Sequence, residues 1–377
     1  MSHKKTIRVG NRVKNSVPKE KNKSLVVGHI TGNLIPEGFM EVDESIGRQG
    51  QTIYERRIKL VRCDEPMIVQ KNVPRKVKKN EKPKILLISD VKDWAWWIKS
   101  TYIKKYLSDE FDFDIVHVIG KGSGSIDKSK YNLYLTYGWS YVSYLNSIYD
   151  KRKITGVTAH RTKKILSSLK GCKWHHANSI LLLKELNEWG IQDVFYVPNG
   201  VDEELFRPIR EVGSNKELVA GHVGKKTSVK GQKAFIIPAI EKSKLESFTH
   251  FNIWSNMIPF EDMYKEYQKM DFMLVASQED GTPNPALEAM ACGRPVISNR
   301  IGNMPEIIKD GYNGFLVEKN VDAYVEKIEY FKNNRDELIR MGRNARKSIL
   351  NGWTWKEQSE NYRTMFRTIL KDLGDIE

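Results

Sequence analysis

Apolar runs of strand length, separated by amphipathic stretches of helix length, recur along the chain from residue 84 onward. Residues 84–89 form a continuous apolar run that ends at Asp90, which predicts a buried strand. A loop and a helix are predicted over residues 93–108, and strands are predicted at residues 113–118, 133–136 and 154–159. Strands that alternate with helices favour a parallel sheet with right-handed crossovers.

The second half repeats this pattern. Residues 218–224 and 271–276 are predicted strands, and residues 315–317 form another after a loop, a helix and a turn. Between them, Pro285 is typical of the first helical residue, and Gly293 with Pro295 ends the helix. Residues 353–370 are predicted to form an amphipathic helix. The sequence therefore predicts two parallel α/β sheets in succession.

Residues 1–83 differ from the rest. Residues 1–24 are rich in Lys and Asn and indicate an arm. In residues 25–63, glycines interrupt short apolar stretches, which predicts a small hairpin-rich module. Residues 73–83 form a charged linker bounded by prolines. We therefore expect a basic, β-rich N-terminal extension.

Charge is concentrated in this extension. The chain of 377 residues has a net charge of +15, and residues 1–83 contain 12 Lys and 7 Arg against 9 Asp and Glu, a balance of +10. Such a balance attracts nucleic acid, an anionic membrane or another polyanion, or it only keeps the protein in solution. Charge alone leaves both interpretations open.

Other compositional features predict a cytoplasmic protein without a transmembrane segment. No apolar run approaches the roughly 20 residues that a bilayer span needs, and residues 1–5 lack the apolar region of a signal peptide. Cys63, Cys172 and Cys292 are widely separated and form no Cys-x-x-Cys pair. Reduced thiols are expected, with neither a disulfide framework nor a zinc site.

The stretch from Ser277 to Pro295 is the main candidate site. A buried strand precedes it, Asn284 is a suitable N-cap, and free amides at a helix start favour a phosphate. Asp280 lies just before the helix and Glu288 about one turn inside it. Two carboxylates beside an anion site suggest that hydroxyl groups are bound there, as on a ribose or a sugar.

This stretch resembles the signature of the family-4 retaining glycosyltransferases. The matching residues are an acid, seven intervening residues and Glu, followed by Ala-Met-Ala-Cys-Gly-Arg-Pro-Val-Ile. The resemblance implies a GT-B fold, in which two Rossmann-like parallel-sheet domains face each other across a cleft. It also implies that Glu288 binds the nucleotide ribose and that Asp280 faces the donor sugar. The family usually has Glu at position 280, so the identity of the sugar is left open.

Two further segments carry the resemblance. Gly224, Lys225 and Lys230 stand where family members usually have Gly-Arg and Lys, which implies that both bases bind the donor diphosphate. Lys225 keeps the charge of the usual Arg but lacks its bidentate fork. Residues 196–208 resemble the segment between the two domains. The predicted divisions are 1–83, an acceptor domain at 84–207, a donor-nucleotide domain at 208–350, and a helix at 351–377 that crosses back to the first domain.

The resemblance also assigns a role to His160. This residue follows a predicted strand, where ligands bind in open parallel sheets, and the family has a His that contacts the donor sugar from across the cleft. A structural His with satisfied hydrogen bonds is the alternative. The predicted catalytic residues are thus Asp280, His160 and Lys230, and the predicted donor-binding residues are Lys225, Lys230, Gly281, Thr282, Pro283, Asn284 and Glu288.

Aromatic residues dominate the region expected to bind the acceptor. Trp94, Trp96 and Trp97 offer flat faces for stacking on a sugar or base, although two of them are expected in the core, with Trp96 as the cleft residue. The acceptor candidates are Asp90, Trp94 and Trp96. A second aromatic group allows the same two interpretations, and its members are Tyr131, Tyr134, Tyr137, Trp139, Tyr141 and Tyr144.

The predicted function is transfer of a sugar, with retention of anomeric configuration, from a nucleotide diphosphate sugar to an acceptor. No metal or other cofactor is expected, because lysines and helix amides can neutralise the leaving diphosphate. The acceptor is a candidate polyanion, such as modified DNA or a phosphate-rich glycan, and peripheral contact with an anionic membrane is a further candidate. The alternatives are a GT-B epimerase and an inactive protein that binds a sugar nucleotide or polyanion.

Overall fold

The computed structural model describes residues 26–27, 39–45, 56–62, 77, 81–118, 127–145, 148–159, 165–224, 227–251 and 258–377. The chain divides into two compact units, residues 1–70 and residues 71–377. The predicted arm at residues 1–24 lies outside the described residues, as does the predicted linker except for residues 77 and 81–83.

The first unit contains a three-stranded antiparallel sheet. Its strands are β1 (Val26–Val27), β2 (Phe39–Ser45) and β3 (Arg56–Arg62), in the order β1-β3-β2. Strands β2 and β3 pair along their full length, with Phe39 opposite Arg62 and Ser45 opposite Arg56. The prediction of a β-rich extension is confirmed.

The second unit begins with a six-stranded parallel sheet. Its strands, in chain order, are β4 (Lys84–Ser89), β5 (Asp112–His117), β6 (Leu133–Thr136), β7 (Lys153–Val157), β8 (Trp174–Ala177) and β9 (Val194–Tyr196). The order across the sheet is β5-β4-β6-β7-β8-β9. Helices α1 (Ala95–Leu107), α2 (Leu166–Leu169) and α3 (Ile180–Glu188) connect the strands, together with 3₁₀ segments at Lys128–Lys130, Trp139–Leu145 and Asp150–Arg152.

A five-stranded parallel sheet follows. Its strands are β10 (Val219–Val223), β11 (Ser247–Phe251), β12 (Phe272–Val275), β13 (Val296–Asn299) and β14 (Gly314–Val317), in the order β11-β10-β12-β13-β14. Its helices are α4 (Ile237–Lys242), α5 (Met263–Tyr267), α6 (Asn284–Ala291), α7 (Met304–Ile307), α8 (Val321–Asn333) and α9 (Arg335–Leu350). A 3₁₀ turn at Ser228–Lys230 and a π-helical turn at Gln232–Ile236 precede α4, and a 3₁₀ turn at Phe260–Asp262 precedes α5.

Both sheets are buried on two faces, as their continuous apolar strands predict. In β4, Ile85 and Leu87 belong to the core on one face of the first sheet, and Leu86 and Ile88 belong to the core on the other face. The second sheet likewise separates two cores of its own. The α/β prediction for both halves is confirmed.

The last helix, α10 (Trp355–Asp372), returns to the first sheet. It begins with a capping box in which Thr354 and Glu357 satisfy each other's backbone amides. Its apolar side packs on Phe111 and Phe113 of the first sheet, through Tyr362, Met365, Phe366, Ile369 and Leu370. None of the described helices combines the length and hydropathy that a bilayer crossing requires.

The chain crosses between the two sheets twice, and the crossing segments pair with each other. Val201 and Thr354 form an isolated parallel bridge, in which the Val201 amide donates to the Trp353 carbonyl and the Trp355 amide donates to the Val201 carbonyl. A Cβ at Gly200 would lie 2.5 Å from backbone atoms of Trp355, so this close approach requires glycine.

Candidate functional site

The strand order of the second sheet identifies where a ligand would bind. β10 has β11 on one side and β12 on the other, so the chain leaves β10 in one direction and returns on the opposite side. In open parallel sheets, the crevice at the carboxyl ends of two such strands is the usual ligand site. The loops after β10 and β12 line this crevice.

These two loops lie against each other. The amide of Gln278 donates to the carbonyl of Val229 at 2.8 Å. Gly231 has a left-handed φ of +67°, and a Cβ there would lie 2.2 Å from the Ala276 carbonyl oxygen. Glycine is required at position 231 by both backbone conformation and space. It allows the turn that carries Lys230 to reach the end of β12.

Lys230 and Asp280 form an ion pair in the crevice. The Lys230 Nζ lies 2.8 Å from both carboxylate oxygens of Asp280. The two side chains are 24% and 14% exposed, so the pair is shielded but still accessible. The predicted phosphate-binding base and the predicted sugar-facing acid thus neutralise each other, although 50 residues separate them in sequence.

Glu288 lies one turn inside α6 and is held by a tyrosine. The Tyr267 hydroxyl donates to Glu288 Oε2 at 2.5 Å. Burial raises the pKa of Glu288 to about 7, and the Tyr267 hydrogen bond opposes this shift. The carboxyl group therefore changes its charge near neutral pH, and both of its forms can interact with a sugar hydroxyl.

The carboxyl edge of the first sheet contacts the loop that carries Asp280. The amide of Gly281 donates to the Thr158 carbonyl at 3.0 Å, and the Thr282 hydroxyl donates to the Asn178 carbonyl at 3.2 Å. A Cβ at Gly281 would lie 2.1 Å from the side-chain oxygen of Asn178. Glycine at position 281 therefore lets the two sheets approach.

Two more contacts join the sheets near this loop. The Glu306 carboxylate accepts from the Ile180 amide at 2.7 Å and from the Tyr196 hydroxyl. Burial raises the pKa of Glu306, and these two hydrogen bonds lower it. Asn199 donates from its amide nitrogen to the Asn284 side-chain oxygen at 2.7 Å. The site is thus formed where the carboxyl edges of both sheets meet.

Comparison with known proteins identifies the segment that carries these residues. Residues 215–348 match the family described as "Glycosyl transferases group 1". This segment, about a third of the chain, is thus similar to that family. The N-acetyl-alpha-D-glucosaminyl L-malate synthase of Bacillus anthracis is 35% identical over 105 residues, which cover 27% of this chain and 27% of that enzyme. The chain therefore matches about a quarter of this relative's length.

Two solved structures share the fold over most of the chain. Sucrose-phosphate synthase from Thermosynechococcus elongatus has a TM-score of 0.62 at 14% identity and covers 77% of this chain and 100% of its own. Anabaena HepE in complex with UDP-glucose has a TM-score of 0.57 at 14% identity and covers 78% of this chain and 100% of its own. With the two facing parallel sheets, this likeness confirms the predicted GT-B fold.

Some residues predicted for the glycosyltransferase site lie elsewhere or outside the described residues. His160 and Lys225 lie outside them. The prediction that Asn284 is the N-cap of α6 is wrong. The helix starts at Asn284 itself, and Pro283 precedes it without a side-chain cap. The Asn284 side chain accepts from Asn199 instead. The roles of Gly281, Thr282, Pro283 and Asn284 in donor binding stay predictions.

The acceptor candidates lie at the carboxyl end of β4. Asp90 follows that strand directly, and Trp94 precedes α1 in extended conformation. The Trp96 ring packs edge-on against Tyr141 with centroids 5.6 Å apart, and it contacts the core of the first sheet. Trp97 packs on His117. Trp96 thus shares the core role expected for its neighbours, and its contact with an acceptor stays a prediction.

Sequence reasoning missed Tyr267, which holds Glu288, and Glu306, which borders the candidate site. Neither residue belongs to a sequence motif, and the roles of both follow only from contacts between segments that are distant in sequence. Cys172 and Cys292 are buried and form no disulfide, and burial raises the pKa of Cys292 to about 12. Among the described residues, no three His, Cys, Asp or Glu side chains are grouped to hold a metal ion, and metal independence stays a prediction.

Proposed function

We propose that the protein is a retaining glycosyltransferase that moves a hexosyl group from a nucleotide diphosphate sugar to an acceptor hydroxyl. The observation that carries this proposal is the ion pair between Lys230 and Asp280 at the β10/β12 crevice, in a segment that matches group 1 glycosyltransferases and that also contains Glu288. Lys230 suits the diphosphate of such a donor, Asp280 suits its sugar, and Glu288 suits its ribose.

The residues act on different parts of the donor. Lys230, with Lys225 and the amides at the start of α6, stabilises negative charge on the leaving diphosphate. Asp280 accepts hydrogen bonds from donor-sugar hydroxyls and Glu288 from the ribose, while His160 contacts the sugar from the first domain. The bond from the anomeric carbon to the phosphate oxygen breaks, and a bond to the acceptor oxygen forms on the same face. The acceptor proton passes to the leaving phosphate oxygen.

Donor binding requires Lys230 to change partners. In the structure its ammonium is bound to Asp280, and a diphosphate placed in the crevice offers it a stronger anion. Transfer of Lys230 to the phosphate releases Asp280 for the sugar hydroxyls. The same exchange of partners thus prepares both the leaving group and the sugar site.

Calorimetric titration with nucleoside diphosphates and with the matching nucleosides tests the donor site. Lys230→Gln is expected to weaken diphosphate binding about tenfold or more, because a charge-assisted hydrogen bond is lost, and to leave nucleoside binding nearly unchanged. Lys233→Gln, an exposed lysine one turn away, is the matched control. Equal losses for both ligands in Lys230→Gln would show that the lysine supports the fold rather than the phosphate.

Product analysis tests the reaction itself. Nucleotide sugars that co-purify or bind are identified by mass spectrometry, and the anomeric configuration of the transferred sugar is read by NMR. Retention supports the proposal, and inversion refutes it. An isomerised sugar without transfer would indicate an epimerase, and binding without any turnover would indicate an inactive binding protein.

The acceptor is proposed to be a polyanion that residues 1–83 help to bind. The +10 balance of this extension supports the proposal, because lysines and arginines that neutralise phosphates release counterions. A truncated protein that begins at Glu81 should still hydrolyse donor slowly and should lose most transfer to a large anionic acceptor. Duplex DNA binding that falls steeply with salt favours DNA, and liposome flotation favours lipid. Equal transfer by both lengths of protein would refute the role of the extension.

A further inference from the structure

The first sheet has a crevice like the one that holds the candidate donor site. β4 has β5 on one side and β6 on the other, so the chain reverses direction across the sheet between β4 and β6. The carboxyl ends of such a pair of strands are the usual ligand position in an open parallel sheet. Here the two loops are residues 90–94 after β4 and residues 137–145 after β6.

Aromatic rings extend outward from this crevice in a row. Tyr141 packs on the edge of Trp96, and Tyr144 lies over Tyr141 with centroids 6.1 Å apart and planes inclined by 33°. Exposure increases along the row, since Trp96 and Tyr141 are partly buried and Tyr144 is 43% exposed. Tyr144 belongs to no hydrophobic core cluster of the described residues. Core packing therefore does not account for its position.

A carboxylate follows β4 at the strand end from which these rings extend. Burial and the nearby Asp90 carboxylate, in that order, raise the pKa of Tyr141. Asp90 is partly buried at the end of β4.

We propose that Asp90, Tyr141 and Tyr144 form an acceptor subsite that binds a neutral sugar ring. This inference rests on the proposed glycosyltransferase function and adds that the acceptor is a glycan that presents a neutral sugar residue to the first sheet, while its anionic groups contact residues 1–83. One face of a pyranose carries C–H groups that pack on an aromatic ring, while its hydroxyls donate hydrogen bonds to a carboxylate. The exposed Tyr144 ring supplies the face, and Asp90 supplies the acceptor.

Saturation-transfer NMR with four methyl glycosides as probes tests the subsite. The probes are the methyl α-glycosides of glucose, galactose, mannose and N-acetylglucosamine. The full-length protein is expected to bind at least one of them, and Tyr144→Ala should weaken that binding about tenfold because the stacking face is lost. Tyr144→Phe should recover most of it, since the ring face remains. Asp90→Asn should weaken binding to a similar extent.

Tyr149→Ala is the matched control. Tyr149 is 51% exposed, and it lies in none of the ring contacts formed by the row. The Tyr149→Ala protein should therefore bind the probes as the unchanged protein does. Failure of the unchanged protein to bind any of the four probes overturns the proposal, and so does an equal loss in Tyr144→Ala and Tyr149→Ala.

Donor measurements separate this inference from the function on which it rests. Tyr144→Ala should raise the KM for the acceptor and leave the Kd for a nucleoside diphosphate unchanged. Normal donor binding with an unaltered acceptor KM in Tyr144→Ala would reject only the subsite. If neither the unchanged protein nor any variant binds a nucleoside diphosphate, while methyl glycosides still bind, the glycosyltransferase proposal is rejected instead.

Discussion

Asp280→Asn is expected to strengthen the binding of a nucleoside diphosphate. Lys230 is held by both carboxylate oxygens of Asp280 at 2.8 Å, and a diphosphate that binds Lys230 must compete with this carboxylate. Asparagine keeps the size of the side chain and removes its charge. The cation then becomes available to the phosphate without the cost of breaking an ion pair.

The magnitude follows from the exposure of the pair. Two unit charges about 4 Å apart attract each other by about 4 kcal/mol at an effective dielectric constant of about 20. The two side chains are 24% and 14% exposed, and solvent screening reduces the net contribution to roughly 1–2 kcal/mol. Diphosphate affinity should accordingly rise about five- to thirtyfold. Sugar transfer should fall, because the acid that faces the sugar is lost.

Calorimetry with a nucleoside diphosphate measures this effect, and Glu279→Gln is the matched control because it removes a neighbouring charge without touching the pair. The double variant with Lys230→Gln completes a mutant cycle, in which the gain from Asp280→Asn should disappear. Weaker binding in Asp280→Asn would refute competition for Lys230. An equal gain in Glu279→Gln would show that only the overall charge of the crevice matters.

Other predictions concern single buried groups. Glu288→Ala should weaken nucleoside binding about tenfold or more. In the unchanged protein, affinity should rise with pH up to the Glu288 pKa of about 7 and then level off, because the carboxylate is the stronger acceptor, whereas Glu288→Gln should show no such dependence in titrations between pH 5 and 9. Burial lowers the pKa of Lys99 from 10.5 to about 7, so the folded protein loses stability as pH falls from 10.5 to 7. Lys99→Met should therefore raise the free energy of unfolding at pH 7 by about 4 kcal/mol in denaturant melts. A destabilised variant would show that the protein stabilises the buried ammonium by its own contacts. Asp375→Ala should cost about 3–5 kcal/mol in the same melts, because it leaves Arg152, 7% exposed, without its partner at 2.5 Å; a cost below 1 kcal/mol would contradict this.

Much of the fold could be predicted because most of its buried strands are apolar runs in the sequence. β4 and β12 are unbroken apolar segments, and their burial follows from their composition. β8 and β11 were not predicted, because Trp174–Ala177 and Ser247–Phe251 include histidines and other polar residues that hide a strand. Neighbours on both sides of β8 bury it completely in spite of that composition. Tertiary context decides such segments.

The candidate site divides in the same way. Asp280, Glu288 and Lys230 became candidates because the family motifs that they resemble are local spacings in the sequence, and their roles stay predictions. The pairing of Lys230 with Asp280 joins the loops after two different strands, and no sequence spacing expresses it. The contact of Glu306 with Tyr196 joins different sheets and is equally hidden. The N-cap prediction failed because the Asn284 side chain accepts a hydrogen bond from Asn199, a contact between distant segments.

The contacts between the sheets link the donor crevice to the acceptor side. Gly281 and Thr282 follow Asp280 in the loop after β12, and their donors end on carbonyls beyond β7 and β8 of the first sheet. A hydrogen bond of this kind contributes about 1 kcal/mol, so each is weak alone. Asp280, which pairs with Lys230, is therefore followed directly by the two residues that bond to the first sheet.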